Sequence, residues 1–362
     1  MYVAGHKEAV TSFILDEWDR SVPEAVTQAA QDIAARYHGA VSGVIFYGSC
    51  LRTGIYEDRI LDFYVIVDNY PDAYRHFGLA FFNEMIPPNV FYHEIEVGGT
   101  VVRSKYAVLS LTDLALRTGP GCLNVSVWAR FCQPCMLLLP ASNAVKYEIA
   151  GYIASAAVTM LGHALPLLGV QALSHRADGG LIEQTDTPPE DEEKADEEKA
   201  DEEKARREGD KALSQALWVT AFTQTYSAEL RSEPPGKGLE IYELDKDRYD
   251  ALLPYVGVCL GLSASKRADL MSGYSPQAIL PDLMSRKNSR ALWFARRLNG
   301  KFVSFMRLIK ASFTFTGGID YLAWKISRHS GVAVTIKPWM RYVPILAGLY
   351  LFISLRLKGA FR

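Results

Sequence analysis

Apolar and polar positions along residues 1–150 predict helices followed by short strands. In residues 7–37 the apolar side chains recur at helical spacing, and Ser21 matches the N-terminal cap of a second helix. Four apolar runs predict buried strands, at residues 44–47, 61–67, 101–102 and 106–109. A helical start followed by strands and a tight Gly-Ser turn indicates an α+β domain, which we place at residues 1–150.

The rest of the chain has a mainly helical pattern with one interruption. An apolar stretch at residues 145–173 predicts a helix, and we expect residues 151–285 to form a mainly helical second domain. Within it, residues 176–210 contain three copies of Asp-Glu-Glu-Lys-Ala. The repeat has no apolar face to bury, so we interpret this segment as an acidic linker without chemistry. Its Glu and Lys spacing gives weak support to a solvated helix, and an acidic interaction segment is the alternative.

The C-terminal region, residues 286–362, differs from the rest of the chain in charge. It contains fifteen Lys or Arg residues, one acidic residue (Asp320) and several aromatic side chains. These residues predict an anionic partner, and we favour a membrane surface over nucleic acid because an apolar block lies at residues 345–355. That block is shorter than the roughly 20 residues that span a bilayer, which predicts an in-plane segment in a basic amphipathic region.

The cysteines and the N-terminal residues indicate a reducing compartment. The number of cysteines is odd, five in all, and their density in a long chain is low. Cys132 and Cys135 have the spacing of a redox motif, but we interpret them as buried thiols. His76 and His93 have no second ligand at zinc spacing. The first residues match neither a secretory signal nor a transit peptide, so we expect a bacterial-type cytoplasmic protein.

The candidate chemistry lies where the first predicted strand ends. Tyr47, Gly48 and Ser49 form a turn in which backbone N–H groups and a hydroxyl can approach phosphate oxygens. Asp62, on the next strand, can hold a divalent cation against the same phosphates. Nucleotidyltransferases of the polymerase-β type have a second acidic residue two positions later, where this chain has Tyr64.

Other carboxylates are candidates for the second ligand of the cation. Asp68 follows Asp62 by six positions, so both side chains nominally point to the same face of a strand. Glu94 and Glu96 remain alternatives on a later strand. We predict Asp62 and Asp68 as ligands of Mg²⁺.

Five segments of the chain resemble, in the same order, characteristic blocks of the mitochondrial-type phosphatidate cytidylyltransferases (CDP-diacylglycerol synthases). The segments are residues 45–49, 61–68, 105–110, 128–134 and 226–231. On this resemblance the chain is identified as a divergent, bacterial-type member of that family. The resemblance implies a nucleotidyltransferase-type mixed sheet and the transfer of CMP from CTP to phosphatidic acid, which gives CDP-diacylglycerol and pyrophosphate.

The resemblance also implies the functions of individual residues. The implied catalytic residues are Asp62, Lys105 and Arg130. The implied substrate-binding residues are Tyr47, Gly48, Ser49, Ser227 and Arg231. The cationic side chains of these sets would neutralise the triphosphate or the lipid phosphate, Lys as a point charge and Arg as a bidentate fork. The enzyme would act at the cytoplasmic face of the inner membrane, held there by residues 286–362.

Two other functions remain open from the sequence. One is a nucleotidyltransferase that acts on another lipid phosphate or on a small alcohol. The other is a non-catalytic, membrane-bound relative that binds a nucleotide, since the acidic doublet of active nucleotidyltransferases is incomplete here.

Overall fold

A computed structural model of the protein describes residues 7–56, 59–168, 192–229, 236–314, 336–341 and 350. The chain divides into two compact units, each assembled from separate stretches. The sheet unit comprises Trp18–Ala115, Pro134–Ile149 and Phe302–Arg362. The helical unit comprises Met1–Glu17, Leu116–Gln133 and Ala150–Lys301. This division differs from contiguous domains with boundaries at residues 150 and 285, because stretches that are distant in sequence pack together.

The sheet unit is built on a five-stranded mixed sheet with the strand order β3-β4-β2-β1-β5. The strands are β1 (Val41–Tyr47), β2 (Ile60–Val67), β3 (Asn89–Val97), β4 (Thr100–Ser110) and β5 (Cys135–Leu138). β2 and β4 pair in parallel, whereas the other neighbouring strands pair antiparallel. A mixed sheet combined with many helices confirms the coarse expectation of a fold that contains both.

Three of the strands lie where the apolar runs predict them. β1 and β2 include the runs at residues 44–47 and 61–67, and β4 includes both later runs. β4 is one continuous strand because it forms a hairpin with β3 through Gly98 and Gly99, which both have positive φ as a two-residue turn requires. β5 is not predicted, since a strand of four residues carries little periodicity.

One face of the sheet is covered by the Glu24–Ala35 helix. Its buried side chains recur at the spacing of an amphipathic helix: Val26, Ala29, Ala30 and Ile33. They share a core with Phe46 and Phe63 of the sheet, whose ring centroids are 5.3 Å apart. The helix begins after Pro23 without a side-chain cap. The prediction that Ser21 caps it is therefore wrong, because Pro23 occupies the cap position.

Shorter helices complete the sheet unit, together with the end of a long one. The helices are Ser49–Thr53, Tyr70–Ala73, Phe77–Met85, most of Leu111–Thr118, and the last part of Arg286–Thr314. Lys310 fastens the long helix, since its Nζ donates to the carbonyl oxygens of Ile86 at 2.5 Å and Pro88 at 2.8 Å. Lys310 is 5% exposed, so these carbonyl oxygens compensate a buried charge.

The helical unit packs its helices around an aromatic centre. The helices are Lys7–Glu17, Trp128–Phe131, Glu192–Ser227, Lys237–Leu244, Lys246–Cys259, Ala264–Met271 and Pro276–Ile279, with most of Asn143–Ala164 and the first part of Arg286–Thr314. Trp218 and Tyr249 lie at the centre, with ring centroids 4.8 Å apart. The indole N–H of Trp218 donates to the Tyr249 carbonyl oxygen at 3.2 Å, which satisfies the polar atom of this buried ring.

The acidic repeat is helical over the part that the structure describes. The Glu192–Ser227 helix begins inside the repeat and continues into the apolar segment that follows. Residues 192–210 are therefore helix instead of the linker that the composition predicts. Ala, Glu and Lys are strong helix formers, and Glu203 forms an i, i+4 pair with Arg207 at 2.7 Å. Residues 176–191 lie outside the described residues.

One helix in the described part of the chain, Asn143–Leu167, is long and apolar enough to cross a membrane. However, 72% of its most apolar window is buried within the protein, as is typical of a core helix. Residues 169–173, the end of the predicted helical stretch, are not among the described residues. The apolar block at residues 345–355 also lies outside them, except for Tyr350.

A buried ion pair ties the first helix to the helical unit. Arg248 donates from Nε and Nη2 to the two carboxylate oxygens of Glu17, at 2.5 and 2.9 Å. Its Nη1 donates to the Cys132 carbonyl oxygen at 2.9 Å. The Arg248 and Glu17 side chains are 10% and 15% exposed. Removal of one partner would leave the other charge largely shielded from water without compensation.

We expect Arg248→Met to lower the free energy of unfolding by about 3–5 kcal/mol, because the Glu17 carboxylate loses its bidentate partner. The matched control is Arg207→Met, which removes an exposed pair with Glu203 and should cost less than about 1 kcal/mol. Urea unfolding followed by circular dichroism measures both changes. Equal losses in the two variants would show that the pair with Glu17 stabilises no more than a surface contact.

Candidate functional site

Five side chains lie in one row across the sheet, one from each strand. In the order of the strands they are Tyr92, Lys105, Asp62, Tyr47 and Cys135. Residues that pair directly on neighbouring strands point to the same face of a sheet. Phe46 and Phe63, which adjoin the row, point to the opposite face, under the Glu24–Ala35 helix. The row thus brings Asp62 and Lys105 together on the other face.

Asp62 and Lys105 form an ion pair across β2 and β4. Lys105 Nζ lies 2.9 Å from Asp62 Oδ1, and the side chains are 36% and 21% exposed, respectively. Apart from this pair, Asp62 Oδ1 is buried and accepts no hydrogen bond from the described residues. A carboxylate oxygen with this unused capacity is well suited to bind a cation.

Because Gly48 has no side chain, the Asp62 carboxylate can lie directly against its backbone. Its φ is +92°, in the region that favours glycine, and a Cβ atom added there would lie 2.8 Å from Asp62 Oδ2. The next residue, Ser49, is exposed and begins the short helix that ends at Thr53. The structure therefore brings Gly48, Ser49, Asp62 and Lys105 to one end of the paired strands.

The two residues on either side of this turn are buried. Tyr47 is 7% exposed, and its ring centroid is 5.3 Å from that of Tyr64. Its ring packs under the turn, and the substrate binding that the resemblance implies for it stays a prediction. Burial raises the pKa of the Cys50 thiol and Asp62 raises it further, so the thiol stays protonated. Its Sγ donates to the Ile60 carbonyl oxygen at 3.3 Å.

Asp68, the second predicted metal ligand, lies at the opposite end of β2 from Asp62. The two are six positions apart, which corresponds to roughly 20 Å along a strand. Asp68 Oδ1 accepts a 2.5 Å hydrogen bond from Ser42 Oγ near the start of β1. The structure does not bring the two carboxylates together, so we withdraw Asp68 as a ligand of the same ion. A shared face does not imply a short distance.

Glu94 and Glu96, the alternatives for this ligand, lie farther along β3. Their register partners are Arg103 and Val101, beyond the row that contains Asp62. Glu94 Oε1 is 3.2 Å from Arg103 Nε, so this carboxylate has a cationic partner of its own. Within the described ranges, no group of three or more His, Cys, Asp or Glu side chains is placed to hold a metal ion.

A single carboxylate still fits a magnesium site that a nucleotide completes. Mg²⁺ is commonly held by one or two carboxylates together with substrate phosphates and water. The buried Oδ1 of Asp62, and the close approach of this carboxylate to the Gly48 backbone, are consistent with such a site. Of the predicted ligands, Asp62 is the one that lies where phosphates could approach the Gly-Ser turn.

A pocket in the helical unit brings together two segments that carry the family resemblance. Its lining residues are Ser126, Ala129, Arg130, Gln133, Thr225, Tyr226 and Glu229. The first four belong to the short helix Trp128–Phe131 and its flanks, and the others to the end of the Glu192–Ser227 helix. Arg130 thus shares a pocket with Tyr226 and Glu229, from which it is distant in sequence.

Ser227, the other described residue of this unit to which the resemblance gives a function, does not line this pocket. Ser227 is exposed, and its hydroxyl donates to the Gln224 carbonyl oxygen at 2.8 Å, a local contact at a helix end. Arg231 lies outside the described residues. Of the residues to which the resemblance gives a function in this unit, Arg130 is therefore the one that the structure places in a pocket.

Sequence reasoning did not find the cluster that holds the Arg130 helix. The guanidinium carbon of Arg296 lies 5.9 Å from the Trp128 ring centroid and 5.1 Å from that of Trp293. Arg296 Nη2 is 2.8 Å from His163 Nε2. Burial, and next the Arg296 charge, lower the pKa of His163 to about 4, so the neutral imidazole accepts this hydrogen bond. In the sequence, Trp293 lies close to Arg296, but Trp128 and His163, the other members of the cluster, are far from them along the chain.

Comparison with known proteins adds no assignment to this geometry. No model of a known protein family matches the chain, and no curated protein matches its sequence. The resemblance of the five segments therefore stays a prediction. The functional argument rests on the positions of the residues themselves, above all Gly48, Asp62 and Lys105.

We expect Gly48→Ala to destabilise the protein more than Gly54→Ala. Gly54 has the left-handed helical dihedrals φ 65° and ψ 11°, which cost an L residue roughly 1 kcal/mol, whereas Gly48, at φ 92° and ψ −163°, lies in a region that is essentially restricted to glycine and costs more. A Cβ at Gly54 meets nothing within 4 Å, whereas one at Gly48 meets the Asp62 carboxylate. Urea unfolding should therefore show an additional loss of about 1–3 kcal/mol for Gly48→Ala. Equal losses would show that neither the backbone conformation at Gly48 nor the close approach of Asp62 makes alanine costlier there than at Gly54.

Proposed function

We propose that the chain is a magnesium-dependent nucleotidyltransferase that transfers CMP from CTP to phosphatidic acid. The observation that carries this proposal is the meeting of Gly48, Asp62 and Lys105 where β1 ends and β2 begins, with Lys105 reaching Asp62 from the middle of β4. A carboxylate, a cation and a turn without a side chain are the parts that a triphosphate site needs. The enzyme would produce CDP-diacylglycerol and pyrophosphate for phospholipid synthesis.

The order of the strands supports the nucleotidyltransferase type. The Gly-Ser turn follows β1, the carboxylate lies at the start of the antiparallel strand β2, and the lysine lies on β4, which is parallel to β2. Strands that are neighbours in the sheet but separated along the chain thus deliver three different groups to one place.

The chemistry requires positioning and charge neutralisation more than a strong base. A phosphate oxygen of phosphatidic acid, already anionic, would form a bond to the α-phosphorus of CTP. The bond from that phosphorus to the bridging oxygen would break, and pyrophosphate would leave with the electron pair. Asp62 would hold Mg²⁺, which when bound neutralises charge on the triphosphate. Ser49 and the Gly48 backbone would orient the phosphates. Lys105, whose charge the ion pair with Asp62 balances, would act as a further cation when Asp62 holds the metal ion.

The long helix Arg286–Thr314 supports a lipid acceptor. It contains eight Lys or Arg residues and no Asp or Glu. Large apolar side chains on it are exposed: Phe294, Leu298, Phe302, Phe305 and Leu308. A helix that shows apolar side chains to solvent among cations is typical of one that lies on an anionic bilayer. We propose that it holds the protein as a peripheral enzyme at the cytoplasmic face of the inner membrane.

The incomplete carboxylate set favours a second candidate function. Asp62 has Tyr47 and Lys105 as its direct neighbours in the sheet, and Asp68 and Glu94 have other partners. A site with one carboxylate can bind a nucleotide without transferring it. The alternative function is therefore that of a non-catalytic nucleotide-binding protein at the membrane. A nucleotidyltransferase that uses another acceptor is a variant of the first proposal.

The decisive assay combines radiolabelled CTP, phosphatidic acid liposomes and Mg²⁺, with CDP-diacylglycerol detected by thin-layer chromatography. We expect Asp62→Asn to reduce product formation by at least about 100-fold, because it keeps the shape of the side chain and removes its charge. Asp68→Asn is the matched control, since an amide oxygen can still accept the hydrogen bond from Ser42. That variant should retain activity within a few-fold of the original protein.

Each outcome of this assay assigns the function differently. Product formation that survives Asp62→Asn would rule out Asp62 as the metal ligand. Absence of product together with CTP binding would favour another acceptor, which pyrophosphate release with other alcohols and phosphates would reveal. CTP binding without any pyrophosphate release would favour the non-catalytic alternative.

Membrane binding can be tested without activity. We expect the double substitution Phe302→Ser and Phe305→Ser to weaken binding to phosphatidylglycerol vesicles by about tenfold or more, since each exposed ring loses its burial in lipid. Leu239→Ser with Leu244→Ser removes two exposed apolar side chains elsewhere and serves as the control. Vesicle sedimentation measures both variants. Unchanged binding of the first double variant would exclude these phenylalanines from the lipid contact.

A further inference from the structure

The part of the long helix that belongs to the helical unit, residues 286–301, supports both walls of the Arg130 pocket from behind. Asn299 Oδ1 accepts a 3.1 Å hydrogen bond from Asn124 Nδ2. Asn124 Oδ1 in turn accepts from the backbone N–H of Ser126 at 3.2 Å and from its hydroxyl at 2.6 Å. Ser126 lines the pocket, so two hydrogen-bonded steps connect the helix to the first wall.

The first wall has a second support in the Trp128 cluster. Trp128 and Trp293 are fully or nearly fully buried, with ring centroids 6.1 Å apart. Arg296 lies over both rings, and Trp128 directly precedes Ala129 and Arg130 in the short helix. The position of the Arg130 backbone therefore depends on side chains that the long helix provides.

The second wall rests against a glycine of the same helix. A Cβ atom added at Gly300 would overlap the carbonyl oxygen of Ala228, which lies between pocket residues Tyr226 and Glu229. Arg297 Nη1 also donates to Gln224 Oε1 at 3.2 Å, one turn earlier in the wall. The close approach at Gly300 leaves no room for the helix to shift toward this wall without moving it.

The opposite face of residues 286–301 is exposed and suited to an anionic bilayer. Phe294 is 56% exposed and Leu298 is 57% exposed. Exposed cations lie at Lys287, Arg290 and Lys301, and this segment contains no acidic residue. Apolar side chains flanked by cations alone are complementary in charge to anionic headgroups over an apolar interior.

We propose that this helix couples lipid binding to the pocket, with its outer face on an anionic bilayer and its inner face holding both pocket walls. Asn299 and Gly300 are the positioning residues that transmit the effect. The inference rests on the proposed function only in taking a membrane as the partner of the outer face. Docking on lipid fixes the orientation of the helix, and because both walls contact its inner face, their opening motions become rarer.

Hydrogen exchange measured by mass spectrometry tests this coupling in the full chain. The probe is vesicles of phosphatidylcholine with phosphatidylglycerol, and vesicles of phosphatidylcholine alone are the neutral control. We expect anionic vesicles to slow amide exchange several-fold in residues 124–133 and 222–229. The double substitution Phe294→Ser and Leu298→Ser should weaken vesicle binding by about tenfold or more and reduce the change in exchange in parallel.

Substitutions on the inner face separate coupling from binding. Gly300→Ala should still bind vesicles, but the protection of residues 222–229 should be lost. Gly209→Ala is the matched control, because it is also a helical glycine of this unit and its Cβ would meet only Met271 Cγ at 3.8 Å. Asn299→Ala removes the hydrogen bond to Asn124 without crowding. It should therefore reduce the protection of residues 124–133 even if Gly300→Ala fails to fold.

Three results would overturn the proposal. Vesicle binding without a change in the exchange of the pocket residues would show that the two faces of the helix are not coupled. Protection that persists in both inner-face variants would show the same. Protection by transfer RNA in place of vesicles would reassign the outer face to nucleic acid. None of these readouts uses CTP or phosphatidic acid. A failure of cytidylyl transfer with intact coupling would therefore reject the reaction alone, and the reverse result would reject the coupling alone.

Discussion

The parallel pairing of β2 with β4 is the constraint on which the candidate site depends. Without it, Asp62 and Lys105 would have no reason to meet, because they are separated by two helices and another strand along the chain. The antiparallel pairing of β1 with β2 then places the Gly48 turn against the same carboxylate. The apolar core beneath the sheet holds these strands in register, so a shift of one residue would move all three groups apart.

The features of this site that lie close together in sequence could be predicted. The contacts between residues that are distant along the chain could not. A strand followed by Gly48 and Ser49, and a second strand with Asp62, follow from apolar runs and turn chemistry. The period of a strand predicts a shared face for Asp62 and Asp68 but contains no information about the distance between them, and Asp68 lies just beyond the end of β2. Lys105 could be connected to Asp62 through the family resemblance alone, since parallel pairing leaves no local signal.

The helical unit shows the same limit on a larger scale. The sequence pattern predicts a mainly helical region, but it does not predict the division from the sheet unit, because the helical unit combines the start, the middle and a late stretch of the chain. The acidic repeat shows a different limit, since its composition gives only weak support to the helix that the structure contains. Composition describes whether a segment can bury a core, whereas a helix of strong formers can extend from a packed segment such as the one around Trp218. The Trp128 and Arg296 cluster joins residues that no local pattern connects.

The charge of the candidate site makes a divalent cation a physical requirement of the proposed reaction. Lys105 lies within an ion pair, so its positive charge is already balanced by Asp62 and the two together offer no net attraction to a triphosphate. A bound triphosphate would add several negative charges beside a carboxylate that is only partly exposed. Asp62 would then repel the substrate unless a cation lay between them. The carboxylate that appears unfavourable for nucleotide binding is thus explained if its purpose is to hold that cation.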